Sequence, residues 1–313
     1  MYQTLNNPFE SVATCTKPVD NSEDPGNTDL NDSSLCLLTL LEQPATPTQT
    51  QQRQNYVSEQ VSPATVRELS RLNMNANELG ALLREVNQHG SDPVQMAVQA
   101  MRNSRVLGLG ELHDGQSSQR EFGGTVMAQL RQAGATHLAV EIPSNQQAMI
   151  DRFMQTGEIN RSDLPFFLAH DNFVSMLRAA RTAGLRIACV DVRDGSDRDR
   201  HMANSIDTIL RQNADNKVVF WVGGYHIRRV NQQDERTAAD HLRANHTITT
   251  MSLRTPSDRM DSIATLTPNL TRGVGVSMSD AQGLSNLRSW YRSSRDTTRY
   301  GDWDHLILCP PRR

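Results

Sequence analysis

Short apolar runs alternate with helical stretches from residue 105 to the C-terminus, and this alternation restricts the fold more than any other feature. The runs cover residues 106–109, 137–142, 186–192, 218–222, 247–253, 273–278 and 305–309. The stretches between the first of them have helical spacing and cover residues 116–132, 145–154, 172–182 and 198–212. Repeated strand–helix units indicate parallel strands with covered faces. We therefore predict an α/β fold with a mostly parallel central sheet covered by helices.

The N-terminal part of the chain has a different composition. Residues 1–62 are rich in Asn, Thr, Ser, Gln, Pro and Asp, and such a segment buries too little apolar surface to offset the entropy of ordering. We predict a disordered leader here that carries a secretion or docking signal. Ser62 and Pro63 match a helix start, so residues 63–104 are predicted as a helical segment that precedes the α/β domain of residues 105–313.

The bulk charge and the apolar pattern exclude several classes of protein. The chain has 32 basic and 35 acidic residues and a net charge of -3, which does not favour nucleic acid or anionic membranes. No apolar run is long enough for a transmembrane segment. The first residues lack a basic segment before an apolar stretch, so we expect no conventional signal peptide. The four cysteines have neither metal-ligand nor redox-motif spacing.

Ionisable side chains follow each of the first four predicted strands. Glu111 and His113 follow the first strand, Glu141 ends the second, Asp191 ends the third, and His226 follows the fourth. Because ligands of open parallel sheets bind beyond the carboxyl ends of the strands, these side chains are predicted to share one site.

The residue types at these positions are suited to acid–base or metal chemistry. Glu111 and His113 are two residues apart and point the same way in an extended chain. A carboxylate beside an imidazole orients the ring and raises its basicity, and both groups also bind metals. Each residue alone has an ordinary structural explanation: Glu141 could pair with Arg198, and Asp191 could cap the next helix. One ionisable group at every strand end is harder to explain in that way.

The same residues form a known series. Gly110-Glu111-Leu112-His113-Asp114, then Glu141, then Gly223-Gly224-Tyr225-His226 resemble the superfamily of ChaN-like haem-binding proteins, erythromycin esterases, Tiki/TraB proteins and a domain of Pasteurella-type toxins. The segment 198–203 is similar to the superfamily's Arg-acid-x-x-Met-Ala helix start, and 302–309 is similar to its closing strand. The resemblance extends from residue 105 onwards.

This resemblance implies a set of site residues. They are Glu111, His113, Glu141, Arg198 and His226, with Arg200 as the alternative to Arg198. Esterase-like members imply that the first histidine acts as a general base on water. Tiki-like members imply metal-assisted peptide hydrolysis, and ChaN-like members imply that haem or iron is bound.

Our first functional hypothesis is a hydrolase. His113 would take a proton from water, Glu111 and Glu141 would orient it, and Arg198 with His226 would stabilise the developing oxyanion. In a variant of this hypothesis, a divalent metal is held by His113, His226 and Glu141. The substrate would be a small molecule or a peptide.

Two other functions stay open at this point. One is non-catalytic binding of haem or iron, with Tyr225 or His226 as the axial ligand. The other is an interaction protein whose site has lost its activity. The leader resembles those of delivered bacterial effectors, which implies residence in the bacterial cytoplasm before export, then secretion into a host cell. A secretion chaperone or a host protein would bind the leader.

Overall fold

The computed structural model describes residues 81, 85, 88–113, 118–192, 197–229, 236–254, 273–278 and 302–309. The predicted leader, 1–62, and most of the predicted helical segment before residue 88 lie outside these residues.

The strands of the described part form one mixed sheet. They are β1 (Gly90–Ser91), β2 (Val106–Glu111), β3 (His137–Pro143), β4 (Arg186–Asp191), β5 (Val218–Gly223), β6 (Ile248–Arg254), β7 (Val274–Ser277) and β8 (His305–Leu308). Their order across the sheet is β1-β7-β8-β6-β2-β5-β3-β4. All neighbouring pairs from β8 to β4 are parallel, and β7 is antiparallel to both β1 and β8.

The helices cover both faces of this sheet. They are α1 (Pro93–Asn103), α2 (Ser118–Gln132), α3 (Gln147–Thr156), α4 (Asp171–Thr182), α5 (Arg198–Gln212) and α6 (Ala238–Arg243). Single 3-10 turns follow β3 at Ser144–Gln146 and β5 at Gly224–Ile227, and a third lies at Arg161–Asp163. None of the helices described is both long and apolar enough to cross a bilayer.

Two apolar clusters hold the layers together. One joins the sheet to α1–α4 through side chains such as Met127 and Phe173. The other joins the opposite face to α5 and α6 through side chains such as Ile206 and Leu242. Strands β2, β3 and β5 are buried along their whole length, as expected for parallel strands with both faces covered.

The predicted fold class is confirmed, and most predicted elements lie within two or three residues of the observed ones. Helix α1 begins after Asp92, whose side chain accepts a hydrogen bond from the Gln95 backbone N–H at 2.8 Å. Ala97 and Met101 of α1 lie in the same core as α2–α4. The described end of the predicted helical segment therefore shares the core of the α/β domain.

Strand β2 lies near the middle of the strand order, so its carboxyl end lies near the middle of one edge of the sheet. Strand β2 lies between β5 and β6, while β3 and β4 lie beyond β5. The carboxyl ends of β2, β5, β3 and β4 are consequently neighbours along one edge, the position at which open α/β sheets bind ligands.

Candidate functional site

The carboxyl edge of the sheet holds a cluster of charged side chains. Glu111 ends β2, Glu141 lies near the end of β3, and Gly223 ends β5. The structure brings together all five residues of the predicted set, which are Glu111, His113, Glu141, Arg198 and His226. It does so through direct hydrogen bonds and ion pairs, and the carboxylates of this set are almost fully buried.

Glu111 is the most firmly held carboxylate of the cluster. The Arg120 guanidinium donates to it twice, from Nε to Oε2 at 2.8 Å and from Nη2 to Oε1 at 2.7 Å. The indole N–H of Trp221 donates to Oε2 at 3.0 Å. Burial acts to raise the pKa of Glu111, but the hydrogen bonds from Arg120 and His113 outweigh it and lower that pKa. Glu111 is therefore a fixed, ionised group beneath the site.

His113 is held between two carboxylates. Its Nδ1 lies 3.0 Å from Oε1 of Glu111, and its Nε2 lies 3.1 Å from Oε2 of Glu141. The ring packs against Phe167 with a centroid separation of 4.7 Å. A Cβ at position 223 would lie 2.7 Å from Nε2 of His113, so Gly223 leaves the space that this ring occupies. The side chain of His113 is still 30% exposed.

Glu141 lies where the donors of the site meet. Its Oε2 also accepts the Gly223 backbone N–H at 2.7 Å, and its Oε1 accepts Nη2 of Arg198 at 2.6 Å. Burial acts to raise the pKa of Glu141, but hydrogen bonds from His113 and His226 hold that pKa well below its usual range. Glu141 therefore stays ionised at any pH near neutrality.

Arg198 joins Glu141 to the end of β4. It donates from Nε and Nη2 to the two oxygens of Asp191, at 2.6 and 2.7 Å. Nη1 of Arg198 has no protein partner among the described residues, and the side chain is one-third exposed. The guanidinium can therefore donate from this atom to a bound molecule.

His226 mirrors His113 on the other side of Glu141. Its Nδ1 lies 2.9 Å from Oδ1 of Asp199, and its Nε2 lies 3.6 Å from Oε1 of Glu141. The turn that carries His226 comes very close to β2, because a Cβ at Gly110 would lie 2.8 Å from the Cα of Gly224. The two imidazoles therefore each bind a carboxylate through Nδ1 and turn Nε2 toward the same buried Glu141.

The charges of the cluster balance only when both imidazoles are protonated. Four carboxylates face two guanidinium groups, and these six residues are Glu111, Glu141, Asp191, Asp199, Arg120 and Arg198. Burial acts to lower the pKa of both histidines, but their bonds to carboxylates outweigh it and raise the pKa of each to about 9. At neutral pH both rings are consequently mostly imidazolium.

Two other residues of the sequence prediction lie outside this network. Arg200 is 59% exposed and lies 3.8 Å from Asp197, so the arginine of the cluster is Arg198. Tyr225 is 57% exposed, and its ring lies under the Arg228 guanidinium at 4.9 Å.

Three further residues contribute to the cluster and were not predicted from the sequence, namely Arg120, Trp221 and Asp199. Asp199 is the acidic residue of the Arg-acid-x-x-Met-Ala pattern, so a signal for it was present. Arg120 and Trp221 had none, because one lies on a helix and the other inside a buried strand.

The donor atoms of the cluster do not fit a metal ion in this arrangement. Across the part of the chain that the structure describes, no three His, Cys, Asp or Glu side chains are placed to hold one. Both ring nitrogens of His113 and Nδ1 of His226 already bond to carboxylates. The contacts of Tyr225 and His226 likewise give no support to haem ligation. Metal and haem binding stay predictions.

The sequence matches no protein-family model and no curated protein. Similar folds occur among solved structures. A Bacillus cereus protein is 11% identical, with 76% of this chain and 98% of that chain covered and a TM-score of 0.50. The type III effector HopBA1 is 18% identical, with 52% of this chain and 83% of that chain covered and a TM-score of 0.41.

The C-terminal region of Pasteurella multocida toxin, described as having a thiol-protease-like catalytic triad, is 11% identical with a TM-score of 0.41. That match covers 71% of this chain but only 30% of the toxin chain. In this protein the two described cysteines, Cys189 and Cys309, are buried, and burial raises the pKa of Cys189 to about 12, which opposes a thiolate nucleophile. At these identities the likeness concerns the fold alone, and among these structures the Bacillus cereus protein reaches a TM-score of 0.50.

Proposed function

We propose that the chain is a hydrolase whose reaction takes place at the exposed side of the His113–Glu141–His226 row. One observation carries this proposal: two partly exposed imidazoles, each fixed at Nδ1 by a carboxylate, turn Nε2 toward one buried carboxylate. A carboxylate at Nδ1 orients the ring and keeps Nδ1 protonated, so that Nε2 is the nitrogen that accepts or donates a proton in the reaction. Such a pair supplies one proton acceptor and one proton donor at a single site.

Solvent access favours His113 as the general base. Its side chain is 30% exposed, whereas that of His226 is 16% exposed. When Nε2 of His113 loses its proton, its hydrogen bond to Glu141 is lost, and Nε2 would then accept a proton from a water molecule, while Glu111 keeps Nδ1 protonated and the ring oriented. His226 would remain imidazolium and, with Nη1 of Arg198, stabilise the negative charge that develops on the substrate oxygen.

The raised pKa of His113 gives this proposal a distinctive pH dependence. A base with a pKa of about 9 is mostly protonated at neutral pH, so the rate should rise about tenfold for each pH unit up to about pH 9. A general acid with the same pKa would give a rate that is constant below about pH 9 and falls above it. The direction of the pH–rate profile therefore separates the two roles.

The test is hydrolysis of 4-nitrophenyl acetate and of a fluorescence-quenched peptide library by the full-length protein. His113→Gln is expected to lower the rate by a factor of about 10² to 10⁴. His246→Gln is the matched control, because His246 also pairs with an aspartate, Asp207 at 2.7 Å, but precedes β6 at the opposite edge of the sheet. Equal rates for His113→Gln and the wild-type protein would remove the proposal.

We further propose that the protein is a delivered bacterial effector or toxin. The composition of residues 1–62 supports this context. Fusing these residues to a translocation reporter tests it, and a reporter that stays inside the producing cell contradicts it.

A further inference from the structure

We infer that this site acts on a polypeptide. The polypeptide binds across the site through its own apolar side chains and a neighbouring acidic side chain. The inference rests on the proposed hydrolase function and names its substrate class. It comes from side chains around the charged cluster that the acid–base chemistry does not use.

The described part of the chain exposes only three large hydrophobic side chains, and all three adjoin the site. They are Leu112, Phe166 and Tyr225, which are 37%, 88% and 57% exposed. Leu112 lies between Glu111 and His113, and Tyr225 directly precedes His226. Phe166 contacts Phe167 edge to face, with centroids 5.5 Å apart, and Phe167 packs on His113.

Ring contacts link Phe166 to the His113 end of the row, and chain adjacency links Tyr225 to the His226 end. The order of contacts runs from Phe166 through Phe167 and His113 to Glu141, then to His226 and its neighbour Tyr225. A ligand that crosses the two Nε2 atoms therefore meets apolar surface at each end. We call Leu112, Phe166 and Tyr225 the apolar rim.

The exposure of the rim favours a polypeptide over a small molecule. Small-molecule sites are concave and enclose most of the ligand surface, whereas Phe166 at 88% exposed encloses nothing. Exposed apolar surface next to polar groups is typical of protein interaction sites. A membrane surface is disfavoured, because the chain has a net charge of -3 and anionic lipids attract basic proteins.

The positive charge of Arg228 indicates that the polypeptide also carries an acidic side chain. The Arg228 guanidinium lies over the Tyr225 ring at 4.9 Å and has no ion-pair partner among the described residues, and its Nε is buried without a hydrogen bond. An acidic side chain that reaches the rim at Tyr225 would supply this partner. The substrate segment therefore combines aromatic or aliphatic residues on the His113 side with an acidic residue on the His226 side.

The test measures binding separately from hydrolysis. Fluorescein-labelled Gly-Asp-Glu-Ala-Phe-Leu-Gly is titrated with the full-length protein, and binding is followed by fluorescence anisotropy. Two comparison peptides are titrated in the same way: one has Ser-Ser in place of Phe-Leu, and the other has Asn-Gln in place of Asp-Glu. We expect the Kd to rise about tenfold or more without the apolar pair. Without the acidic pair it should rise by about fivefold or less, as for a partly exposed ion pair.

Variants locate the binding on the rim. Phe166→Ser should bind the Phe-Leu and Ser-Ser peptides with similar Kd, and Arg228→Gln should no longer distinguish Asp-Glu from Asn-Gln. Phe166 is too exposed for its replacement to unfold the chain. Asp215→Ser is the control, because Asp215 is exposed and precedes β5 at the opposite edge.

The outcomes separate this inference from the proposed function. Wild-type protein that binds none of the peptides, or binds all three equally, overturns the polypeptide inference even if His113-dependent ester hydrolysis is found. Phe166→Ser that discriminates as well as wild type also overturns it. Rim-dependent binding without hydrolysis of any ester or peptide would leave the docking surface in place and refute the hydrolase.

Discussion

Replacing His113 with glutamine should change how the stability of the protein depends on pH. The pKa of His113 is raised from 6.5 to about 9. Because the folded-state pKa exceeds the unfolded one, this stabilisation is complete below about pH 6.5 and is lost as the pH rises through about 9. The difference corresponds to about 3 kcal/mol, and screening of a 30% exposed side chain reduces it to about 2 kcal/mol.

The assay is denaturant unfolding of wild type and His113→Gln at about pH 6 and about pH 9. Wild type should lose about 2 kcal/mol more of its unfolding free energy over this interval than the variant does. Burial lowers the pKa of His137 and His305, so both are neutral in either state over most of this interval and do not mimic the effect. Ionisation of the cysteines cancels in the comparison of the two proteins.

Parallel pH dependences of the two proteins would refute this reasoning. They would mean that His113 does not carry a proton between Glu111 and Glu141, and the charge balance described for the site would be wrong. The unfolding free energy of His113→Gln should still fall with rising pH, but less steeply, because the pKa of His226 is also raised to about 9.

Two further substitutions test the geometry of the cluster. Gly223→Ala would place a Cβ 2.7 Å from Nε2 of His113 and should reduce the rate of hydrolysis by about tenfold or more. Gly124→Ala is the control and should not change the rate, because the nearest atom to its Cβ would be 3.9 Å away. Equal rates for the two variants would contradict the close fit at Gly223. Trp221→Phe removes the 3.0 Å indole bond to Glu111 and should cost about 1–3 kcal/mol in denaturant unfolding, and an unchanged midpoint would show that Glu111 does not need this donor.

The sequence predicted the strands and most of the site for the same physical reason. A buried parallel strand needs a continuous apolar run, so an ionisable residue at its end is visible as a break in the pattern. Glu111, Glu141 and Asp191 were found in this way, and all three lie at one edge of the sheet. Consecutive parallel strands then required these ends to meet.

Other features of the structure could not be predicted from the local sequence pattern. Arg120 lies on α2 and reaches back to Glu111, a contact that depends on how the helix packs. Helix α6 has six residues, too few to show helical periodicity. The run that forms β7 was predicted as a strand, but its antiparallel direction is set by the connections and not by composition.

The roles within the site also depended on three-dimensional contacts. The spacing of Glu111 and His113 predicted a carboxylate–imidazole pair, and this pair is present at 3.0 Å. It did not predict that Glu141 would occupy the other ring nitrogen at 3.1 Å. The bonds to Glu111 and Glu141 together make the ring a cation at neutral pH and move the expected activity to alkaline pH.

Glu141→Gln distinguishes a working site from a structural ion cluster. The variant removes the negative charge that both imidazoles share, so the pKa of His113 and His226 should fall toward 6.5. If His113 is the base, the midpoint of the pH–rate profile then moves to lower pH, even though the maximal rate falls as the ring loses its second anchor. The matched control is Asp304→Asn, because Asp304 accepts from the Thr250 backbone N–H at 2.8 Å and pairs with arginines, and its charge acts on His305 but not on His113 or His226. That substitution should lower stability without moving the midpoint. A midpoint that stays at about pH 9 in Glu141→Gln would mean that proton transfer by His113 does not limit the rate.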